Sequence, residues 1–252
     1  MKLNNKNFLV VGSSRGIGLE ISKELITEGA YVVTTGRNTS DELKNLLGKF
    51  SDQCNFFEGD LTLDSNREFL LNYVDLNTQD LHGIIFNIGG VKKNSDFKDD
   101  RSQWEWYLNI NLLTIVSLVE LFKNHIIKSR GSMIFIGSIA SKEYLEAPTA
   151  YSAAKSSINI FSKDLCHQLG QYGVRINTIH PGNILFKDGN WAKKIDENPN
   201  LEKEYIRKVV PLQKFGTTTD IAKTVSFLLS DDAKFITGAS ITVDGGQTKN
   251  YE

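Results

Sequence analysis

The stretch NFLVVGSSRGIG, residues 7–18, decides the fold, because an apolar run ends directly at a loop with three glycines. Residues 8–11, FLVV, are apolar on both faces, which predicts that the strand 7–11 is buried inside a parallel sheet. Gly12, Gly16 and Gly18 follow, and an amphipathic helical pattern begins at once. Glycine suits a backbone that turns tightly or approaches a phosphate closely, and a helix N-terminus attracts anions. The stretch therefore predicts a nucleotide site, with a plain strand–helix turn as the alternative.

Short apolar runs and longer helical patterns alternate along the whole chain. The predicted strands cover residues 7–11, 30–35, 55–58, 83–87, 133–137, 175–179 and 240–243, and the predicted helices cover 17–28, 62–76, 101–128, 150–171, 201–210 and 219–229. This alternation predicts right-handed βαβ units. We expect an α/β fold, namely a doubly wound Rossmann fold whose mostly parallel seven-stranded sheet carries helices on both faces. We expect one domain over residues 1–252, in which the polar segment 183–216 is a substrate lid or a surface excursion.

Composition excludes several classes of protein. Of the 252 residues 40 % are hydrophobic, which is enough for a full core and excludes a disordered chain. The net charge of -1 favours neither nucleic acid nor an anionic membrane. We expect no stretch that approaches the roughly 18 apolar residues of a membrane span, and no signal peptide. Cys54 and Cys166 lack disulfide or metal-ligand spacing, so we expect no metal and a cytoplasmic location.

Two arginines bear on the choice of cofactor. The second predicted strand ends at Arg37, about twenty residues past the glycines, where an acidic residue would hold the ribose 2′-hydroxyl of NAD. No acid lies between Glu28 and Asp41, and Arg15 inside the glycine loop offers a second guanidinium. A 2′-phosphate suits such a pair, although lone arginines are usually solvated surface residues. The pair favours NADP(H), with NAD(H) as the alternative.

Four polar side chains are candidates for proton chemistry. Tyr151 and Lys155 lie four residues apart on a predicted helix and therefore share one face. An ammonium about 4 Å from a phenol would lower its pKa by about three units at an effective dielectric near 20. Ser138 follows a predicted strand, at the sheet edge where parallel sheets gather ligands, and Asn111 falls on the apolar face of helix 101–128. The alternatives are an ordinary helix face, a turn serine and a paired structural amide.

Together these motifs resemble the short-chain dehydrogenase/reductase family along almost the whole chain. VGSSRGIG resembles the family's TGxxxGxG loop, with Val11 in place of threonine, and Asp60 in GDLT matches the acid near the adenine ring. The sequence NIGG from Asn87 stands where the family has NNAG, and Pro181-Gly182 resembles the turn before the nicotinamide loop. ITVDGG is similar to the closing strand of 3-oxoacyl-[acyl-carrier-protein] reductase-like members.

The resemblance implies hydride transfer between a nicotinamide and the carbonyl or alcohol carbon of a small-molecule substrate. Tyr151 is then the general acid/base, and Ser138 orients the substrate oxygen. Lys155 lowers the tyrosine pKa and holds the nicotinamide ribose, while Asn111 positions a proton-relay water. The implied cofactor-binding residues are Gly12, Ser14, Arg15, Gly16, Ile17, Gly18, Arg37, Asp60, Leu61, Asn87, Gly89, Tyr151, Lys155, Pro181, Gly182 and Ile184. Phe186 stands where the family often has a threonine that touches the carboxamide.

Two other functions stay open at this point. A non-catalytic nucleotide sensor or scaffold on this fold usually lacks the tyrosine or the lysine, and both are present. A sugar-nucleotide epimerase or dehydratase typically has extra C-terminal residues and a Gly-x-x-Gly-x-x-Gly loop, and this chain has neither. The resemblance also implies a homo-oligomer, a dimer or a tetramer, formed through helices 101–128 and 150–171. We expect no nucleic-acid or membrane partner.

Overall fold

The computed structural model describes residues 1–92 and 100–249. Its strands are β1 (Asn7–Val11), β2 (Tyr31–Gly36), β3 (Cys54–Glu58), β4 (Gly83–Phe86), β5 (Ser132–Ile136), β6 (Arg175–Pro181), β7 (Ile184–Leu185), β8 (Gly216–Thr217) and β9 (Ser240–Val243). Seven of them form one sheet in the order β3-β2-β1-β4-β5-β6-β9, and every neighbouring pair is parallel. The strands β7 and β8 pair with each other. The predicted seven-stranded Rossmann sheet is confirmed, with strand bounds within two residues.

Helices cover both faces of this sheet. They are α1 (Gly16–Thr27), α2 (Asp41–Lys49), α3 (Asp64–Asn77), α4 (Arg101–Leu108), α5 (Thr114–Ser129), α6 (Thr149–Leu169), α7 (Asn190–Glu197), α8 (Arg207–Val209) and α9 (Thr218–Leu229). Alternate residues of β1 enter opposite cores: Phe8 packs in the cluster beneath α1, α2 and α9, and Leu9 packs in the cluster beneath α3, α5 and α6. This two-sided burial explains why the strand sequence is apolar throughout.

The strand order changes direction between β1 and β4. From β1 the chain proceeds outward to β2 and β3, and from β4 it proceeds the opposite way to β5 and β6. In doubly wound folds the crevice at this point, outside the carboxyl ends of the strands, is where ligands bind. Asn87 spans it, because its Nδ2 donates a hydrogen bond of 2.6 Å to the backbone oxygen of Gly12. The glycine loop and the end of β4 are thereby held together.

Two helices were not predicted, and two predicted helices are irregular: helix 201–210 is a π-helical segment, Glu202–Ile206, followed by α8, and helix 101–128 is interrupted. The helix α2 begins after Ser40, whose Oγ accepts a hydrogen bond from Leu43 N, which is an ordinary N-cap. The amphipathic helix α7 lies inside the polar segment 183–216. The predicted helix 101–128 is α4 and α5 joined by one wide π-helical turn, Asn109–Leu113. That turn contains Asn111, so the irregularity coincides with a candidate site residue.

The expectation that no stretch approaches a membrane span is wrong for one helix. The continuous helix Arg101–Ser129 has 29 residues and an 18-residue window with a mean hydropathy of 1.4, which is long and apolar enough by length and composition to cross a membrane. Core helices of soluble proteins pass the same test, so a single such helix is weak evidence. In this structure Leu118, Phe122 and Ile126 pack in the core beneath the sheet.

The segment 183–216 builds a small apolar cluster of its own. Ile206, Val210 and Phe215 are buried together, and Trp191 stacks on Tyr205 with ring centroids 5.5 Å apart. The ammonium of Lys194 lies 4.6 Å from the Trp191 ring. The segment is thus a packed unit whose two ends are joined by the pairing of β7 with β8.

A pair of glycine substitutions tests how tightly α1 packs on the loop. A Cβ at Gly18 would lie 2.3 Å from Gly12 O, whereas a Cβ at Gly48 in α2 would meet nothing within 4 Å. Gly18→Ala is expected to lower the free energy of unfolding by about 1–3 kcal/mol. Gly48→Ala is expected to raise it by up to about 1 kcal/mol, since alanine is the better helix former. Urea denaturation of both variants checks this, and equal effects would contradict the close packing at Gly18.

Candidate active site

The glycine loop leaves the first turn of α1 open to a ligand. Gly12 and Gly16 have φ values of +79° and +59°, a region that side chains other than glycine rarely adopt. No side chain caps α1 at Arg15, and the first turn carries no acidic residue. The N–H groups of that turn therefore have the partial positive charge that a pyrophosphate would neutralise. The predicted residues Ser14 and Ile17 lie in the same loop and turn, so the loop fits a dinucleotide.

The base of segment 183–216 contacts this loop. The Phe186 ring lies so close to Gly16 that a Cβ there would be 2.6 Å from the ring. The Nη1 atom of Arg15 donates a hydrogen bond of 3.2 Å to the backbone oxygen of Asp188. Arg15 thus contacts the neighbouring segment with one of its donors, while Arg37 at the end of β2 is exposed. A guanidinium has five donors, so this contact leaves Arg15 able to bind a phosphate as well.

The other predicted cofactor residues also follow strands at the carboxyl edge of the sheet. Asp60 comes after β3, where its Oδ1 accepts hydrogen bonds from Thr62 N at 3.0 Å and Thr62 Oγ1 at 2.7 Å. Its neighbour Leu61 is buried. Pro181 ends β6, Gly182 N donates a hydrogen bond of 2.9 Å to Val243 O, and Ile184 is buried in β7.

Asn111 fixes the glycine pair that follows β4. Its Oδ1 accepts a hydrogen bond of 3.1 Å from Gly90 N, and its Nδ2 donates to Gly90 O at 3.0 Å and to Tyr107 O at 3.1 Å. A Cβ at Gly89 would lie 2.7 Å from Asn111 Oδ1 and 3.0 Å from Lys155 Nζ. The structure therefore brings Gly89, Asn111 and Lys155 to one point. These contacts use both N–H donors of the Asn111 amide and one of the two lone pairs of its oxygen, which agrees with the structural alternative for its side chain.

Tyr151 and Ser138 hydrogen-bond to each other, but the tyrosine pKa moves opposite to the predicted direction. Burial raises the pKa of Tyr151 above its usual value, and the charge of a Tyr107 phenolate would raise it further, while the hydrogen bond from Ser138 lowers it. The Tyr107 ring meets the Tyr151 ring edge to face, with centroids 6.4 Å apart. The expectation that Lys155 depresses this pKa is therefore wrong for this structure, because loss of hydration outweighs the stabilising contacts.

The position of Lys155 explains why the Tyr151 pKa is not lowered as predicted. Its side chain is 4 % exposed, and its Nζ donates a hydrogen bond of 3.0 Å to the backbone oxygen of Ile136. The ammonium is thus directed at the end of β5. Burial lowers the pKa of Lys155 to about 8, which still leaves most of the side chain protonated at neutral pH.

Sequence reasoning missed two buried residues next to this group. His180 in β6 is fully buried, and burial together with the charges of Lys142 and Lys155 lowers its pKa to about 4, against a hydrogen bond to Ser138 O. Tyr107 is the largest fully buried side chain, and its hydroxyl accepts a hydrogen bond of 3.0 Å from Lys92 N. The available signal for His180 was its position directly after the predicted strand 175–179, at the carboxyl edge of the sheet. Tyr107 looks like an ordinary core aromatic in the sequence.

Known proteins match this chain over almost its whole length. A family model described as enoyl-(acyl carrier protein) reductase matches residues 11–248. A 3-oxoacyl-[acyl-carrier-protein] reductase of Chlamydia trachomatis is 34 % identical, over 97 % of this chain and 98 % of the relative. A 2-(S)-hydroxypropyl-CoM dehydrogenase of Xanthobacter autotrophicus is 28 % identical over 98 % of each chain. The structure of a short-chain type dehydrogenase/reductase from Mycobacterium ulcerans superimposes with a TM-score of 0.88 at 27 % identity, covering 98 % of this chain and 91 % of that one.

The glycine loop at the sheet's switch point and these full-length matches define the class: an NAD(P)-dependent oxidoreductase that acts on CH–OH or C=O groups. Within that class the chain belongs to the short-chain dehydrogenase/reductase family, and it is similar to the 3-oxoacyl-[acyl-carrier-protein] reductases. The family resemblance predicted from the sequence is confirmed.

The buried ammonium predicts a pH effect on stability. Between pH 8 and 10.5 the unfolded chain keeps the Lys155 proton that the folded chain releases, so burial of this group costs less as the pH rises. The difference in unfolding free energy between wild type and Lys155→Met is expected to shift in favour of wild type by about 3 kcal/mol across this window. Urea denaturation at pH 7.5, 9 and 10.5 measures it. The control is Lys208→Met, which replaces an exposed lysine. If Lys155→Met shows the same pH dependence of the unfolding free energy as Lys208→Met, the lowered pKa of Lys155 is contradicted.

Proposed function

We propose that the chain is an NADP(H)-dependent reductase of small-molecule carbonyl groups that uses Tyr151 as its general acid/base. The observation that carries this proposal is the side-chain hydrogen bond between Tyr151 and Ser138, at the carboxyl edge of the sheet that also holds the glycine loop. Lys155 and Asn111 meet at Gly89, which follows β4 at the same edge. Both partners of the proton-transfer pair are present and adjacent, which argues against a non-catalytic sensor or scaffold.

The cofactor, when bound, supplies the hydride for reduction or accepts it for oxidation. The glycine loop and the free N–H groups of α1 would hold its pyrophosphate, and Asp60 and Leu61 lie at the edge where the adenine ring belongs. Arg37 and Arg15 are the candidates for the 2′-phosphate. Lys155 is proposed to hold the nicotinamide ribose, and Pro181, Gly182 and Ile184 would line the site beside the nicotinamide.

The raised tyrosine pKa favours the reductive direction. A neutral phenol is a proton donor, and burial keeps Tyr151 neutral at physiological pH. In the proposed step the Tyr151 O–H bond breaks as its proton passes to the oxygen of the carbonyl that is being reduced. The Ser138 hydroxyl would donate a hydrogen bond to the resulting phenolate and so stabilise its charge. The proposed proton-relay water would then restore the proton from solvent.

Several wider expectations remain part of this proposal. Segment 183–216 acts as the substrate lid of a single domain spanning residues 1–252, supported by its own packed cluster and its contact with the glycine loop. A cytoplasmic homo-oligomer is proposed from the family resemblance. The first substrates to test are 3-oxoacyl thioesters, because the similar reductases are named for 3-oxoacyl groups. Ketones and keto-sugars complete the panel, and a preference for nucleotide sugars would support the epimerase-like alternative.

Replacement of the proposed acid tests the mechanism directly. Tyr151→Phe removes the proton donor but leaves the ring packed against Tyr107, so turnover is expected to fall about a hundredfold or more. NADPH affinity, measured by fluorescence titration, is expected to change little. Tyr172→Phe serves as the matched control, because Tyr172 is exposed and lies in the 3-10 turn that follows the C-terminus of α6. Near-wild-type NADPH oxidation by Tyr151→Phe would refute the proposed role.

The cofactor preference has its own test. Arg37→Ala removes a charged donor, so kcat/KM with NADPH is expected to fall about ten- to a hundredfold relative to kcat/KM with NADH. Steady-state kinetics with both cofactors give this ratio. Arg130→Ala is the control, because Arg130 lies before β5, at the opposite edge of the sheet. A wild type that uses NADH more efficiently than NADPH would reject the preference altogether.

A further inference from the structure

A buried polar cluster lies directly beneath Ser138. The His180 ring has its Nδ1 3.1 Å from the backbone oxygen of Ser138 and 3.1 Å from Ser141 Oγ. On the other side of the ring, Nε2 lies 2.9 Å from Ser240 Oγ. The imidazole, which belongs to β6, therefore connects the residues that follow β5 to the first residue of β9. No step of the proposed reaction uses this group.

The hydrogen bonds assign the protonation of the ring. A carbonyl oxygen only accepts, so the proton must lie on Nδ1 for the contact with Ser138 to be a hydrogen bond. Ser141 Oγ donates its own proton to Ser138 O at 2.6 Å and therefore accepts from His180. Nε2 then has a free lone pair, which accepts the proton of Ser240. The neutral Nδ1–H tautomer satisfies every one of these contacts, and the lowered pKa of His180 agrees with it.

The ring also fixes the residue before the serine. A Cβ at Gly137 would lie 2.5 Å from His180 Nδ1, so the imidazole packs against the Gly137 Cα. Gly137 N donates a hydrogen bond of 2.8 Å to Ile179 O, next to His180 in β6. The backbone on both sides of the Gly137–Ser138 peptide is thus held by β6. The direction of the Ser138 side chain, which bonds Tyr151, follows from that backbone.

The same cluster reaches the helix that carries Tyr151. Ser141 O accepts a hydrogen bond of 3.0 Å from Ser156 Oγ, and Ser141 Oγ accepts one of 3.3 Å from Asn159 Nδ2. Ser156 and Asn159 lie on α6, one and two turns after Tyr151. Two routes therefore set the distance between the serine and the tyrosine: their direct hydrogen bond and this buried network.

We propose that His180 is a positioning residue for the reaction, which holds the Ser138 backbone through its Nδ1–H so that the serine hydroxyl meets Tyr151 and the substrate oxygen. The inference rests on the proposed role of Ser138 but goes beyond it, since His180 itself touches neither substrate nor cofactor. Errors of about 1 Å in such placement reduce rates by about a hundredfold. The turnover number should therefore respond to the Nδ1 contact specifically.

Two isosteric replacements separate the two ring nitrogens. The amide of asparagine reaches the position of Nδ1, and that of glutamine reaches the position of Nε2. His180→Asn is expected to keep kcat within about threefold of wild type, whereas His180→Gln is expected to lower kcat tenfold or more. The Kd for NADPH should be the same in both. Ser240→Ala, which removes only the Nε2 partner, is the control and should leave kcat unchanged.

Each other outcome overturns the inference. Equal losses of kcat in the Asn and Gln variants, in proportion to their loss of Tm, would mean that His180 serves stability alone. If kcat is unchanged in both variants, His180 does not position Ser138 for the reaction. If both variants fail to fold, ¹⁵N NMR of the histidines in the wild-type protein shows which nitrogen of His180 is protonated. A proton on Nε2 would refute the hydrogen bond from Nδ1 to the backbone oxygen of Ser138. Absence of NADPH oxidation by wild type would instead refute the proposed function, so the two failures are distinguishable.

Discussion

The hydrogen bond from Asn87 Nδ2 to Gly12 O is the contact on which the site depends. It joins the ends of β1 and β4, the two strands between which the sheet order reverses. Gly18 lies so close to both partners that only a hydrogen atom fits in place of a side chain. This three-residue contact sets the height of α1 above the sheet and thereby aims its N-terminal N–H groups at the crevice. The proposed proton-transfer residues lie one strand away, on the same edge.

Much of this arrangement could be predicted from the sequence, because the fold is encoded by local patterns. Buried parallel strands read as apolar runs, and alternation with helices leaves few topologies. The spacing of Tyr151 and Lys155 likewise predicts that they share a helix face. What the spacing cannot give is the direction of a flexible side chain. Lys155 directs its ammonium at Ile136 O, so the effect on the tyrosine pKa differs from the prediction. Burial depends on the tertiary structure, and it determines the direction in which the Tyr151 pKa shifts.

Contacts between segments that are far apart in the sequence likewise could not be predicted from local patterns. Phe186 reads as a departure from a family motif, yet in the structure its ring packs on Gly16 and so belongs to the cofactor loop's surroundings. Arg15 reads as a phosphate ligand, and its guanidinium also contacts Asp188. Both contacts connect the glycine loop to segment 183–216. A ligand at the loop therefore meets the segment at the same time, which gives the two a physical route of communication that neither local sequence contains.

Two buried bases beside Ser138 show how one kind of environment yields two charge states. Burial lowers the pKa of both Lys155 and His180. An amine begins near 10.5, so a fall to about 8 leaves Lys155 charged at neutral pH. An imidazole begins near 6.5, so a fall to about 4 leaves His180 neutral. Of the two bases, only Lys155 is therefore charged at neutral pH. His180, the neutral base, therefore keeps its contact with the backbone oxygen of Ser138 without a change of its own charge at neutral pH and above.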